Sequence, residues 1–391
     1  MADIDVRPPR QALSAAGCLL GLALAVAARP AAAQTASTEA FPTPSGSAEL
    51  YRAACASCHG ADGAGAEPSA VAFEEALPDF TECSFATREP DADWVAIAHE
   101  GGPVRGFSRM MPAFGAALSK DQLQRAMDHL RTFCGSDSWP RGELNLPRAL
   151  VTEKAYPEDE AVLESAIAVQ GAGSVQNQIV YERRFGARNQ FEVVLPFGWA
   201  NRGQAEGRPE GEDTWVGGIG DIALGVKRAM LHSLRSGSIL SLAGEFILPT
   251  GNEADGLGKG TVVFEPFLSY GQLLPASSFF QFQGGVEIPF DTEKAENEAF
   301  WRATLGTSLV QGRWGRTWSP MVEVLAKREL AQGEPTHWDL LPQLQVTLNA
   351  RQHVRLNVGV RIPLDDADVR STEILFYFLW DWFDGGLSDG W

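Results

Sequence analysis

The chain has 391 residues, 45% of them hydrophobic, and a formal net charge of −18. This length favours two or more domains, and this composition excludes a chain that is disordered throughout. The negative charge argues against binding to nucleic acid, whose phosphates it would repel, and favours cationic partners or simple solubility.

The N-terminus has the pattern of a secretory signal peptide. Two arginines precede an apolar stretch over residues 12–28, and the alanines at 31–33 offer a small-residue cleavage site. We therefore assign residues 1–33 to a signal peptide. Cys18 lies inside its apolar stretch, which argues against a lipid anchor, and is removed with it. No later stretch has the roughly 20 apolar residues of a membrane helix, but barrel strands need only about half that number.

Cysteine usage marks a domain boundary. After the signal peptide the cysteines are Cys55, Cys58, Cys83 and Cys134, and none follows. We therefore predict a first domain over residues 34–134. An exported domain meets an oxidising compartment, where a disulfide is permitted.

The segment from Cys55 to His59 reads Cys-Ala-Ser-Cys-His, the attachment signature of c-type haem. Thiols one helical turn apart reach both vinyl groups on one porphyrin edge, and the adjacent His59 ligates the iron from below. A thioredoxin-like redox pair is an alternative, but it needs a βαβ pattern and gives no role to the histidine. A structural zinc site would need four ligands at suitable spacing. The motif therefore predicts one covalent haem c on Cys55, Cys58 and His59.

A sixth iron ligand is expected about 50 residues further on. Pro112 forces extended geometry on Met111, so that the Met111 thioether can project from a loop toward the iron. Met110 is the adjacent competitor. His99 is another, and it would give a bis-histidine haem of lower potential.

A closing helix follows this loop. Ser119 and Gln122 have the spacing of a capping box, which predicts a helix over residues 120–133. Helix, Cys-x-x-Cys-His, Met-Pro-Ala-Phe and closing helix together resemble a class I cytochrome c over residues 45–134. The resemblance implies that Met111 is the axial ligand and that the two end helices pack across each other.

Cys83 and Cys134 have no role in haem attachment if Cys55 and Cys58 bind the haem. A disulfide between them would tie the end of the closing helix to the loop near Phe80 and restrict the unfolded chain. Two buried free thiols are the alternative.

The second half of the chain changes its hydrophobic period to two. Residues 135–160 are rich in proline and charge, and we interpret them as a linker or lead-in. Beyond them, alternation is clearest from Val354 to Ile362. Similar segments begin near residues 161, 176, 189, 214, 237, 261, 278, 299, 317, 337, 352 and 371. About twelve strands fit an antiparallel β-barrel over residues 161–391.

The connections between these segments alternate in character. Odd strands lead into polar, mostly acidic loops, such as those at 206–213 and 291–298, whereas even strands mostly end in shorter connections that carry Arg188, Arg316 or Arg351. Outer-membrane barrels have long loops outside and short turns toward the periplasm, and an even strand number returns both termini to the periplasm.

Aromatic residues in the last strand also favour an outer-membrane barrel. Phe376, Phe378, Trp380 and Trp382 share one face, and aromatic girdles suit lipid interfaces. The glycine-rich stretch over residues 217–225 resembles barrels of the phenol meta-pathway type. A soluble β-sandwich with an apolar outer face is the alternative.

The whole chain resembles fused monohaem cytochrome–porins, some of which oxidise ferrous iron outside the cell, although its barrel is smaller. The resemblance implies an outer-membrane protein with a periplasmic cytochrome domain. Single electrons would pass between an extracellular donor, such as ferrous iron, and periplasmic redox partners. A haem-gated or redox-sensing channel is one alternative. A peroxidase or oxidase is another, disfavoured because it needs an open iron position where Met111 is expected.

Overall fold

In a computed structural model of the protein, the described residues are 45–74, 77–170, 173–201, 215–311, 316–367 and 369–382. The predicted signal peptide, the acidic residues of 206–213 and the turn at 312–315 lie outside these ranges. None of the described helices is both long and apolar enough to cross a membrane.

The N-terminal domain is helical. Its helices are α1 (Ser47–Ala54), α2 (Ala56–His59), α3 (Cys83–Ala86), α4 (Asp91–Glu100) and α5 (Lys120–Leu130), with 3-10 turns at Pro68–Ala70, Gly102–Arg105, Arg131–Phe133 and Gly142–Leu144. Leu50 and Tyr51 of α1 share one buried cluster with Ala126 and Leu130 of α5, so the end helices pack together.

The predicted capping box is confirmed at the start of α5. The Ser119 hydroxyl accepts a hydrogen bond from the Gln122 backbone N–H at 3.3 Å, and the Gln122 side chain accepts one from the Ser119 N–H at 2.9 Å. Two backbone donors at the helix start are thereby satisfied. The cap fixes where α5 begins, and the buried face of α5 then packs against α1.

Cys83, at the start of α3, is disulfide-bonded to Cys134, just after α5, with their Cα atoms 5.1 Å apart. The bond closes a loop with a sequence separation of 51. We expect replacement of both by alanine to lower the free energy of unfolding of the helical domain by about 4 kcal/mol, because the unfolded chain gains loop entropy. Urea unfolding followed by haem absorbance measures this, and an unchanged midpoint would contradict it.

The second domain is an antiparallel sheet. Its strands are β1 (Glu160–Ala168), β2 (Ser174–Phe185), β3 (Asn189–Asn201), β4 (Trp215–Ile219), β5 (Ile222–Ser233), β6 (Ser238–Leu248), β7 (Val263–Leu273), β8 (Ser278–Pro289), β9 (Glu298–Thr307), β10 (Leu309–Gln311), β11 (Arg316–Glu329), β12 (His337–Thr347), β13 (Val354–Pro363) and β14 (Glu373–Asp381). Both β4 and β5 pair with β3, so β4 and β5 together form one interrupted strand of the barrel. Both β9 and β10 pair with β11 and likewise form one interrupted strand. We call each such strand, interrupted or not, a stave of the barrel.

The sheet closes into a twelve-stave barrel, because β14 pairs with β1 in register, with Leu163 opposite Phe378. The prediction of about twelve antiparallel strands is confirmed, and each stave begins within two residues of its predicted start. Within the described ranges each stave is hydrogen-bonded to a neighbour on both sides, as strands in lipid require.

The barrel has a polar interior and an apolar exterior. Along β2 and β12, Glu182 and Gln343 are buried, whereas Ile179 and Leu344 are 43% exposed. The other ten staves repeat this pattern, with exposed Leu163, Leu195, Leu224, Leu242, Leu268, Ile288, Leu305, Val324, Val358 and Phe378. A soluble β-sandwich would bury these side chains and expose the polar ones. The reversed pattern is that of a transmembrane barrel and places this domain in the outer membrane.

The two rims of the barrel differ. Short turns at 186–188, 234–237 and 274–277 join staves at the rim where β1 begins and β14 ends, whereas longer loops at 249–262 and 364–372 join them at the other rim. Short turns face the periplasm in outer-membrane barrels, so the helical domain, which leads directly into β1, lies on the periplasmic side.

Residues 144–159, which we name the plug, lie inside the barrel. The Leu150 N–H donates to Glu323 of β11 at 2.9 Å and to Gln343 of β12 at 3.0 Å. The Arg148 carbonyl accepts a hydrogen bond from Tyr377 of β14 at 2.7 Å. Other plug residues contact the remaining staves through Glu160, Arg184, Gln190, Lys227, Ser241, Leu273, Gln283, Arg302 and Asn357.

The plug makes up most of residues 135–160, the segment whose sequence predicts a linker or lead-in. Plug residues Leu144, Leu146 and Leu150 pack in separate buried clusters with side chains of the barrel wall. The segment has neither helical nor strand periodicity because barrel side chains, rather than its own backbone, satisfy its polar groups. The plug therefore touches all twelve staves and obstructs the lumen at the periplasmic end.

Candidate functional site

A cavity of about 910 Å³ opens within the helical domain, and Cys55, Cys58, His59 and Met111 all line it. Apolar side chains make much of the remaining wall, among them Phe80, Trp94, Ile97, Phe114 and Leu130. This volume lies in the range of cofactor pockets, which combine apolar walls with a few placed polar groups.

The two motif cysteines lie at the end of α1 and within α2. Gly60 follows with φ of +78°, a conformation that side-chain-bearing residues rarely adopt, and it turns the chain away directly after His59. The Tyr51 hydroxyl donates to the Gly60 carbonyl at 2.8 Å and so fixes this turn from α1. Cys55 and Cys58 are both free thiols, and they are the pair that a haem would use.

His59 is half-buried beside Phe80, with ring centroids 5.2 Å apart. Burial lowers the pKa of the His59 imidazole, which favours the neutral form that ligates iron. Its Nδ1 atom is buried and has no hydrogen-bond partner among the described residues. Burial also raises the pKa of the Cys55 thiol to about 11, and the neighbouring Cys58 adds to this rise.

The methionine loop is fastened to the end of α4. The Gly102 N–H donates to the Met111 carbonyl at 3.0 Å, and the Phe114 N–H donates to the Ala98 carbonyl at 2.9 Å. A Cβ atom on Gly102 would collide with the Ser108 carbonyl, so only glycine lets the loop approach this closely. Met111 packs against the core of the helical domain and lines the same cavity as the motif.

The competing ligands differ in placement. Met110 also lines the cavity, but it is 50% exposed, whereas Met111 is half-buried against the core. Among the described residues His99 does not line the cavity, and its Nδ1 lies 2.7 Å from Glu100 Oε1. Met127 of α5 is buried and lines the wall as part of the core. The geometry favours Met111 as the sixth ligand.

The residues present fit a c-type haem. Two free thiols one helical turn apart, a half-buried imidazole whose Nδ1 has no partner among the described residues, and a thioether meet in one apolar cavity of suitable size. When bound, a haem c supplies reversible one-electron chemistry at its iron.

Sequence reasoning missed part of this site. Arg105, from the 3-10 turn after α4, lines the cavity and pairs with Asp93 at 2.7 Å. Arg351 and His353, from the barrel turn between β12 and β13, line it as well. The short length of this turn and its arginine predicted that it lies on the periplasmic rim of the barrel. Nothing in the sequence predicted that it lies close to the haem motif.

Comparison with known proteins matches a family model to the first domain. Residues 43–130 match the model of the cbb3-type cytochrome c oxidase subunit III family. Among curated proteins no significant match was found. The chain thus combines a cytochrome c domain with a closed antiparallel barrel.

Solved structures similar to the chain are outer-membrane barrels. An outer-membrane channel from Pseudomonas putida F1 is 12% identical, with a TM-score of 0.42, and the match covers 61% of this chain and all of that one. The NanC porin is 7% identical with a TM-score of 0.39, and the KdgM porin 8% identical with a TM-score of 0.36. Each of these two matches covers 57% of this chain and 99% of the porin.

Proposed function

We propose that the protein is a single-electron carrier whose one covalent haem c is held at the periplasmic face of the outer membrane. The observation that carries this proposal is the cavity that brings Cys55, Cys58, His59 and Met111 together. The cytochrome family match and the transmembrane pattern of the barrel support it.

The residues of the chain have separate tasks in this proposal. Cys55 and Cys58 anchor the haem by thioether bonds at one edge, and His59 and Met111 ligate the iron from opposite faces. Phe80 and the other apolar wall residues exclude water. A filled, dry coordination sphere favours electron transfer over oxygen or peroxide chemistry, which needs an open iron position.

Two largely buried polar contacts fasten the helical domain to the barrel and its plug. Arg88 pairs with Asp159 of the plug at 2.7 Å, and Glu89 pairs with His353 of the barrel at 3.0 Å. Both Asp159 and His353 are nearly inaccessible to solvent. The barrel therefore acts as a membrane anchor that keeps the haem at the mouth, where periplasmic redox partners reach it.

The plug argues against the alternative of an open or haem-gated channel. Plug residues contact all twelve staves, so a solute that entered the lumen would meet them before it reached the periplasm. An eight-stranded barrel is filled by side chains alone, and one of 16–18 strands leaves a water channel. Twelve staves leave intermediate space, and the plug occupies it.

We further propose that the haem accepts electrons from an extracellular donor. Glu192, Glu245, Glu265 and Glu287 lie half-buried on the inner faces of β3, β6, β7 and β8, and the Glu192 carboxylate lies within 4.8 Å of that of Glu153 in the plug. Carboxylates suit a small cationic donor such as ferrous iron, whose electrons would then pass to the periplasmic haem. Proteoliposomes with the long loops outward test this: external ferrous salt should reduce the haem, and no reduction would restrict the protein to periplasmic donors.

The ligand assignment is tested by replacing Met111 with alanine. We expect the weak near-infrared sulfur-to-iron band to disappear and the midpoint potential to fall, because the thioether stabilises ferrous iron. The vacated position should bind carbon monoxide, which the unaltered reduced protein should not. Met110→Ala is the matched control and should keep the band. A spectrum unchanged by Met111→Ala would contradict the assignment.

A further inference from the structure

One wall of the haem cavity is supplied by the barrel. The turn at 348–353 joins β12 to β13 on the periplasmic rim, and its residues Arg351 and His353 line the cavity together with the haem motif and Met111. A turn on the barrel rim thus reaches a cavity that the sequence assigns wholly to the helical domain.

The turn is fixed on both sides. His353 is 3% exposed, and its Nε2 lies 3.0 Å from Glu89 Oε1 while its Nδ1 lies 3.4 Å from Asp381 Oδ1. Gln352 between the two cavity residues has φ of +66°, as a tight turn requires. His353 therefore clamps the turn between the two domains and sets the position of Arg351.

Arg351 is the basic residue at the open end of this wall. Its Nη2 donates to the Gly106 carbonyl at 3.3 Å, and its guanidinium carbon lies 4.5 Å from the Phe107 ring centroid. Arg105, the other arginine of the cavity, already pairs with Asp93. Among the described residues no carboxylate pairs with Arg351, so its guanidinium has no anionic partner there.

A haem c has carboxylates to offer such a group. Its thioether edge is fixed by Cys55 and Cys58, and its two propionates project from the other part of the ring, where a guanidinium matches a carboxylate bidentately. Resting on the proposed haem binding, we propose that Arg351 binds a haem propionate, so that the barrel completes the haem site. The barrel is then a part of the redox centre as well as its anchor.

This pairing has a measurable electrostatic consequence. Ferric haem carries one more positive charge than ferrous haem, so a guanidinium that neutralises a propionate disfavours the ferric state and raises the midpoint potential. Loss of the Arg351 charge should therefore lower the potential. An arginine that only docks the two domains through Gly106 and Phe107 would act on the iron solely through space, and its loss would lower the potential much less.

The test is a redox titration of the full-length protein in detergent. We expect Arg351→Gln to shift the one-electron equilibrium about tenfold toward the ferric state, which corresponds to about −59 mV. Arg351→Lys, which keeps the charge, should retain most of the potential. Arg188→Gln is the matched control, because Arg188 lies on the same rim and also donates to a backbone carbonyl, that of Ser138 at 2.9 Å.

The outcomes are distinguishable. If the unaltered protein contains no haem, the proposed function fails. If the unaltered protein and all three variants hold a low-spin haem and Arg351→Gln titrates at the original potential, only the propionate contact is overturned. An equal fall in Arg188→Gln would also overturn it, since general loss of rim charge would then explain the shift. If the glutamine variant does not fold, Arg351→Met, which also removes the charge but keeps an apolar stem against Phe107, takes its place in the titration with the same expected fall and the same contradicting result.

Discussion

Replacing Cys55 and Cys58 together by serine should produce an outer-membrane protein without haem. No other thiol pair in the described chain is available, because Cys83 and Cys134 are bonded to each other. The apolar walls of a cavity of about 910 Å³ would then face water, and we expect the helical domain to lose its cooperative unfolding.

Haem staining of denatured protein on a gel measures this result, since only covalent haem survives denaturation. The barrel should persist, as shown by a heat-dependent gel shift, because its strands pair without the haem. The double replacement of Cys83 and Cys134 by serine is the control, and it should keep the stain. Staining of the Cys55/Cys58 variant at the original intensity would contradict the assignment of the attachment site.

The replacement Arg148→Met should lower the free energy of unfolding of the plugged barrel by about 3–5 kcal/mol. Arg148 is 6% exposed inside the barrel and lies 2.9 Å from Glu160, 3.1 Å from Glu164 and 3.2 Å from Glu182. Its loss leaves these carboxylates without their shared cation in a buried setting, and the resulting repulsion acts directly on the wall that holds the plug.

Two measurements follow this effect. Urea unfolding should show the loss of stability, and planar-bilayer recordings should show conductance in Arg148→Met that the unaltered protein lacks. Arg183→Met is the control, because its pair with Asp159 spans 3.5 Å and its side chain is 47% exposed, so that it contributes less than about 1 kcal/mol. Open-channel conductance in the unaltered protein would contradict the sealed lumen.

Local patterns made much of the architecture predictable. Alternation of apolar and polar residues, as from Val354 to Ile362, predicted the strands of the barrel. Each barrel strand has one face in lipid and one in the lumen, and this produces the alternation. The spacing of Ser119 and Gln122 likewise predicted the start of α5, since a helix cap depends on residues within one turn.

Contacts between distant residues were not predictable in this way. Leu150 of the plug is hydrogen-bonded to Glu323, which is 173 positions away in the chain. Arg351 is hydrogen-bonded to Gly106, which is 245 positions away. Neither contact leaves a periodic trace, because each depends on closure of the whole barrel. The break between β4 and β5 is a similar case, since Asp221 there accepts the Gly251 and Lys259 N–H groups of a distant loop.

A redox titration followed by absorbance, on the full-length protein purified from outer membranes, tests the central claim most directly. The proposed His59–Met111 haem should give a low-spin spectrum, a single one-electron transition, and no change when carbon monoxide is added to the reduced form. A protein without covalent haem, or with a reduced haem that binds carbon monoxide, would contradict the account of a membrane-anchored electron carrier.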